Sequence, residues 1–263
     1  MIPGINVLLM GAPGTGKTHA LRTLVDAGLE VFILFTEPGM EVLGDTDSDQ
    51  VHWNYVAPAQ VGWDMLIKNA KSIQQFDNAT LQKMAGMNKL AYGQFIDVLN
   101  QCQNFHCQRT DKDFGGVDEF GTDKVFVFDS LSGLNIMALD LAVGGKPIRT
   151  LPDWGIAMDN EEKLINRLCL GTQCHFVLTA HLEREVDEVL GGIKLMASAL
   201  GRKLSPQLPR FFSDVVMTVR ESDKFTWATA SSQADTKARN LPWKDQQSPS
   251  FVPLINNWRK TNE

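Results

Sequence analysis

The chain has 263 residues, enough for one large α/β domain. Hydrophobic residues make up 43%, which excludes a broadly disordered chain, and the net charge of −6 excludes a polycation, so nucleic acid could be held only by local basic patches. No apolar run reaches the length of a membrane span and no secretion signal opens the chain, so a cytoplasmic protein without a membrane partner is expected.

In chain order, residues 5–10 (INVLLM) read as a strand buried on both faces. A glycine loop follows at once. Residues 17–27 carry Ala20, Leu21, Leu24 and Val25 at helical spacing, with Gly28 as the stop. Residues 31–35 (VFILF) predict a second buried strand, and residues 51–56 a third. Residues 60–76 and 81–107 look helical but irregular, and residues 77–123 have no assigned purpose. The acidic, glycine-bearing stretch 111–124 predicts an exposed loop.

Residues 125–129 (VFVFD) predict a buried strand ending in a carboxylate; helices follow over 134–141 and 154–170, with a loop at 144–147 between them. Residues 175–180 predict another buried strand. A long mixed segment, 182–210, then leads to strands at 215–219 and 225–230, paired as a hairpin across residues 221–224. The proline-bearing tail from Leu241 is expected to pack as an extended arm or to fray. The chain therefore divides into a core, 1–240, and a short tail, 241–263. Strands alternating with helices predict a mainly parallel sheet with helices on both faces and a C-terminal antiparallel hairpin. Cys102, Cys107, Cys169 and Cys174 read as reduced thiols rather than as a zinc site.

The loop is Gly11-Ala12-Pro13-Gly14-Thr15-Gly16-Lys17-Thr18, followed by His19. Two glycines at this spacing before Lys-Thr let successive backbone N–H groups curl around an anion at a helix start. Lys17 would reach the β- and γ-phosphates of ATP, and the Thr18 hydroxyl would ligate Mg²⁺.

Carboxylates at strand ends supply the partners. Asp129 would lie beside the loop and hold Mg²⁺ through water; it could equally cap the next helix. Glu37 would polarise the attacking water; its other reading is a turn residue before Pro38-Gly39. His181, just past a strand, could hydrogen-bond the γ-phosphate and signal its loss, or be a half-buried histidine with a backbone partner.

The order of these parts, with residues 35–39 (FTEPG), 125–130 (VFVFDS), 203–209 (KLSPQLP) and 236–240 (TKARN), resembles the RecA/RadA core ATPases over residues 5–240. More closely, it is similar to the phage-encoded, RecA-like single-strand annealing ATPases of the Sak type, which would place it in a host cytoplasm. The resemblance implies a RecA-like P-loop fold, Glu37 as the water-activating residue and His181 at a sensor position that is glutamine in RecA itself. It also implies a homo-oligomer in which Lys237 and Arg239 reach a neighbour's ATP. It further implies two loops on single-stranded DNA: 141–153, with Lys146 and Arg149, and 182–206, with Lys194, Arg202 and Lys203. Glycines at 144, 145, 191, 192 and 201 would let these loops order on a strand, although Glu183, Glu185, Asp187 and Glu188 open the second. With the cradle so near residue 1, no filament-linking element is expected. Annealing, or assistance to a recombinase or a single-strand-binding protein, then fits better than strand exchange.

Two other functions share the cradle. A nucleotide or small-molecule kinase should carry an arginine-rich lid, whereas the two loops hold only Arg149, Arg184 and Arg202. A helicase-loader-type motor should carry a further partner-binding surface.

Overall fold

The computed structural model describes residues 2–84, 89–186 and 191–262. The first half of the chain runs β1 (Asn6–Gly11), α1 (Lys17–Ala20), α2 (Arg22–Asp26), β2 (Glu30–Phe35), β3 (Val51–Tyr55), α3 (Trp63–Gln75), α4 (Asn78–Lys83), α5 (Gln94–Gln103), β4 (His106–Cys107) and β5 (Lys112–Asp113). It continues through β6 (Lys124–Asp129), α6 (Leu131–Val143), α7 (Leu151–Gly171), β7 (His175–Ala180), β8 (Leu182–Val186), β9 (Ile193–Ala197), α8 (Gly201–Leu204), β10 (Asp214–Glu221), β11 (Lys224–Ala228) and α9 (Val252–Asn262).

Seven strands form one sheet in the order β11-β10-β1-β7-β6-β2-β3. Its pairs are parallel except β10 with β11, the expected hairpin. Alternate residues of each central strand enter different cores, which is why the strands read as unbroken apolar runs. Leu8, Met10, Phe32, Phe126 and Phe176 face α5, α6 and α7. Val7, Leu9, Ile33, Val127 and Val177 face α1, α2 and α9. The α/β class, the parallel sheet and the C-terminal hairpin are therefore as the sequence implies.

Several local expectations are corrected. The helix expected over 17–27 is broken at Leu21 into α1 and α2; Gly28 does stop it, at φ 76°. Residues 111–124 are not simply an exposed loop, because Val117 and Phe120 are buried. Phe32 meets Phe105, Phe114 and Phe120 at ring separations of 5.3, 5.1 and 4.4 Å. The segment 77–123 thus supplies apolar cover for one sheet face; its residues 85–88 lie outside the described residues. Burial of each such ring contributes roughly 1.5–3 kcal/mol, so glycine and acidic residues here mark turns between buried anchors.

The segment 182–206 forms a second hairpin, β8 with β9, antiparallel from Leu182↔Ala197 to Val186↔Ile193. Asp187 and Glu188 lie outside the described residues. The tail packs without a helix over residues 241–251, where Gln247 bridges Trp227, and then turns into α9 rather than fraying. Its residues Phe251, Leu254 and Ile255 are buried in α9 and the approach to it, and Phe251 packs edge-on against Trp227 at 4.9 Å. Pro253 sits in the first turn of α9, where a missing N–H is harmless. Among the described residues, no helix is long and apolar enough to cross a membrane.

Candidate active site

The site follows from strand register. Met10 of β1 pairs with Ala180 of β7, Phe128 of β6 with Leu178 of β7, and Phe35 of β2 with Asp129 of β6. The carboxyl ends of β1, β7, β6 and β2 therefore form one row, and Gly11, His181, Asp129 and Glu37 stand on or just beyond it. In an open parallel sheet this is where ligands bind.

The cradle leaves β1 through Gly11, where an added Cβ would lie 1.8 Å from the Thr218 hydroxyl oxygen, so only glycine fits. Gly14 and Gly16 have φ of 73° and 85°, the left-handed region that glycine enters without strain. Thr15 braces the turn: its hydroxyl donates to the Ala12 carbonyl at 2.7 Å and shares a hydrogen bond with the Thr218 hydroxyl at 2.6 Å.

Lys17 is buried, and its Nζ donates to the carbonyls of Gly11 at 2.8 Å and Ala12 at 3.1 Å. Burial pulls its ammonium below the usual lysine range, opposed by the charges of Asp129 and Glu37. Asp129 is 6% exposed. Burial pushes its carboxyl above the usual range; hydrogen bonds from Thr179 and Thr18 and the charge of Lys17 act against that. The Thr18 hydroxyl donates to Asp129 Oδ2 at 2.7 Å, and Thr179 donates to Oδ1.

Thr18 and Asp129 thus present two adjacent hard oxygens, the donor chemistry that Mg²⁺ takes. Among the described residues no group of three His, Cys, Asp or Glu side chains is arranged to hold a metal ion by itself. An ion here would therefore depend on phosphate oxygens and water for most of its ligands, as Mg²⁺ at nucleotide sites does.

Glu37 is 36% exposed and is held from two sides. The Ser130 hydroxyl donates to its Oε2 at 2.6 Å, and His181 Nε2 lies 3.3 Å from the same oxygen. The other ring nitrogen of His181 is 3.4 Å from Lys17 Nζ. His181 so bridges the cradle lysine and the exposed carboxylate, and β8 begins at the next residue. Reading by position found Glu37 and His181 but gave Ser130 no role, because 93 positions separate it from the carboxylate it holds.

The cleft around these groups has a volume of ≈ 870 Å³. Besides the cradle, Glu37, Asp129 and His181, it is lined by Thr23, Phe225 and Pro249, which sequence reading did not place there. His19 lines it too.

Lys237 and Arg239 stand elsewhere. Residue 237 pairs with Val215, and the Arg239 amide donates to Asp214 at 2.9 Å, at the start of β10. Asp214 pairs with Val7 while Thr218 pairs with Gly11, so both cations lie toward the amino ends of the strands, away from the chain's own cradle. Lys237 Nζ donates to the Phe212 carbonyl at 2.6 Å; Arg239 is exposed. The basic residues of the two expected DNA loops are partly engaged within the chain. Lys146 pairs with Asp153 at 2.8 Å and Lys194 with Asp235 at 2.6 Å, whereas Arg149, Arg184 and Lys203 are exposed.

A sequence profile for a family described as an AAA domain matches residues 4–240. No curated protein matches the chain. Among solved structures, the ATPase of a type III secretion system of pathogenic bacteria is similar at 12% identity and a TM-score of 0.40, over 83% of this chain and 53% of that one. The assembled ATPase EscN of the enteropathogenic E. coli type III secretion system is similar at 11% identity and 0.38, over 82% and 43%. The chain spans about half the length of these two proteins. The RadB recombinase is similar at 9% identity and 0.35, over 86% of this chain and 80% of that one. At these identities the likeness concerns the fold and nothing of function.

Proposed function

Since this chain belongs to the AAA domain family and is a P-loop ATPase, we propose that it binds ATP with Mg²⁺ on the Gly11–Thr18 loop and couples hydrolysis to work on single-stranded DNA in recombination or strand annealing. The observation that carries the nucleotide part is the row of Gly11, His181, Asp129 and Glu37 across four strand ends, with Lys17 Nζ on the Gly11 carbonyl. In this reading the cradle amides and Lys17 hold the β- and γ-phosphates. Thr18 and Asp129 hold Mg²⁺, which neutralises phosphate charge when bound. Glu37, aimed by Ser130 and His181, takes the proton of the attacking water.

The DNA part rests on the connection beyond His181. Its ring touches both Lys17 and Glu37, and its backbone leads directly into the β8–β9 hairpin, which carries the exposed Arg184. A change at the γ-phosphate therefore has a short covalent path to this hairpin. The finer placement beside the Sak-type annealing ATPases is supported by the order of the motifs, and a single-strand-binding protein is proposed as a further partner.

The test is ATP turnover with and without single-stranded DNA, across a salt series, with nucleosides and small alcohols as alternative phosphate acceptors. DNA should raise turnover, the effect should fade with salt, and Lys17→Ala should abolish turnover in both conditions. Turnover indifferent to DNA but dependent on an acceptor would replace this reading with a kinase.

A further inference from the structure

Resting on the reading of Gly11–Thr18 as the triphosphate site, the far side of the cleft poses a separate question: what meets the rest of the nucleotide? The sheet order fixes the direction. Glu37, Asp129 and His181 come from β2, β6 and β7, on one side of β1, whereas Phe225 comes from β11, on the other. With the γ-phosphate beside Glu37, the α-phosphate, sugar and base extend toward the β11 side.

That side is walled by residues from the C-terminal part of the chain. Phe225 is 41% exposed, and a ring carbon lies 3.2 Å from where a Gly16 Cβ would be, so the ring sits against the cradle itself. The Arg220 guanidinium lies 5.3 Å from the ring centroid and its Nε donates to the Ser222 carbonyl at 3.0 Å, which steadies the hairpin tip. Pro249 comes from the tail and lines the same cleft. The tail is held there at two points. Gln247 and Trp227 exchange backbone hydrogen bonds, and the Phe251 amide donates to the Thr23 hydroxyl at 2.9 Å. An exposed aromatic ring and a proline on one wall of the phosphate cleft suit a flat, apolar ring system.

We propose that Phe225 and Pro249 form a nucleobase clamp, contributed by the C-terminal hairpin and tail, that favours purine nucleotides over the bare polyphosphate chain. Stacking of a base on an aromatic side chain is worth about 5- to 150-fold in affinity, enough to separate ATP from inorganic tripolyphosphate at a shared cradle.

The test is calorimetric titration of the full chain, with Mg²⁺, by ATP, CTP and inorganic tripolyphosphate, for the wild type, Phe225→Ala, Phe225→Trp and Lys17→Ala. Phe225→Ala should weaken ATP about 5- to 150-fold, weaken CTP less, and leave tripolyphosphate within about twofold. Phe225→Trp should restore ATP binding. Lys17→Ala should weaken all three ligands. Equal weakening of ATP and tripolyphosphate by Phe225→Ala, or no weakening of either, would overturn the clamp. A wild-type chain that bound none of the three would instead overturn the cradle reading beneath it.

Discussion

At Glu37 the carboxylate is near enough to solvent to meet a water, and two side chains from other strands fix its direction: Ser130 at 2.6 Å and His181 at 3.3 Å. Glutamine at this position keeps an oxygen for the Ser130 hydroxyl but cannot take a proton. Glu37→Gln should therefore lower turnover by about 10²–10⁴-fold while ATP affinity stays within a few-fold. Single-turnover hydrolysis alongside equilibrium binding separates the two effects, and near-normal turnover would remove Glu37 from the chemistry. The position of Glu37 was legible because it ends an apolar run before Pro38-Gly39. Its holder was not, because a hydroxyl after a distant strand has no local signature.

Among the elements, β7 shows how a buried polar group ties segments together. The His175 ring is 1% exposed, accepts from the Ile5 amide at 3.1 Å and donates to the Thr122 carbonyl at 3.1 Å. Trp258 of α9 packs against it at 4.7 Å, so the first strand, the loop before β6 and the last helix meet at one neutral imidazole. Burial pulls its pKa down to about 4, the Thr122 carbonyl opposing and Arg259 adding to the shift. The unfolded chain takes up this proton below about pH 6.5, and the folded chain only near 4. Stability should thus be full above pH 6.5 and fall as the pH drops toward 4, by up to roughly 3 kcal/mol from this residue. Urea unfolding at pH 7 and at pH 4.5 checks this: the loss should be smaller in His175→Gln than in the wild type, and equal losses would refute it. The same elements show where sequence reading misled. Proline density suggested a tail that is extended or frays; from residue 252 it is helical instead, because Phe251, Leu254 and Ile255 carry a helical apolar spacing whose partners include Leu24, far back in the chain.

For the whole molecule, the strand order sets what one chain can do alone. The cradle and its acids occupy the carboxyl ends, while Arg239 projects from the amino end of β10. Arg239 is thus unsuited to its own cradle; of the two cations proposed to reach a neighbour's ATP, Lys237 is the lesser candidate because it is tied to the Phe212 carbonyl. If the proposed homo-oligomer forms with such trans contacts, specific activity should fall on dilution. Arg239→Ala should lose turnover at unchanged ATP affinity and regain part of it when mixed with Glu37→Gln. Activity independent of dilution, with no recovery on mixing, would confine the site to one subunit.

The sequence by itself determined the cradle, the buried strands and the carboxylates that end them. Those depend on spacing within a few residues and on apolar runs, which are local properties of the chain. Only the tertiary structure decided which strand ends share a row, that Ser130 and His181 hold Glu37, and that the hairpin and tail wall the cleft. A strand that is apolar on both faces carries no mark of its neighbour. Strand order, and every contact that follows from it, is settled by how all the faces are buried together.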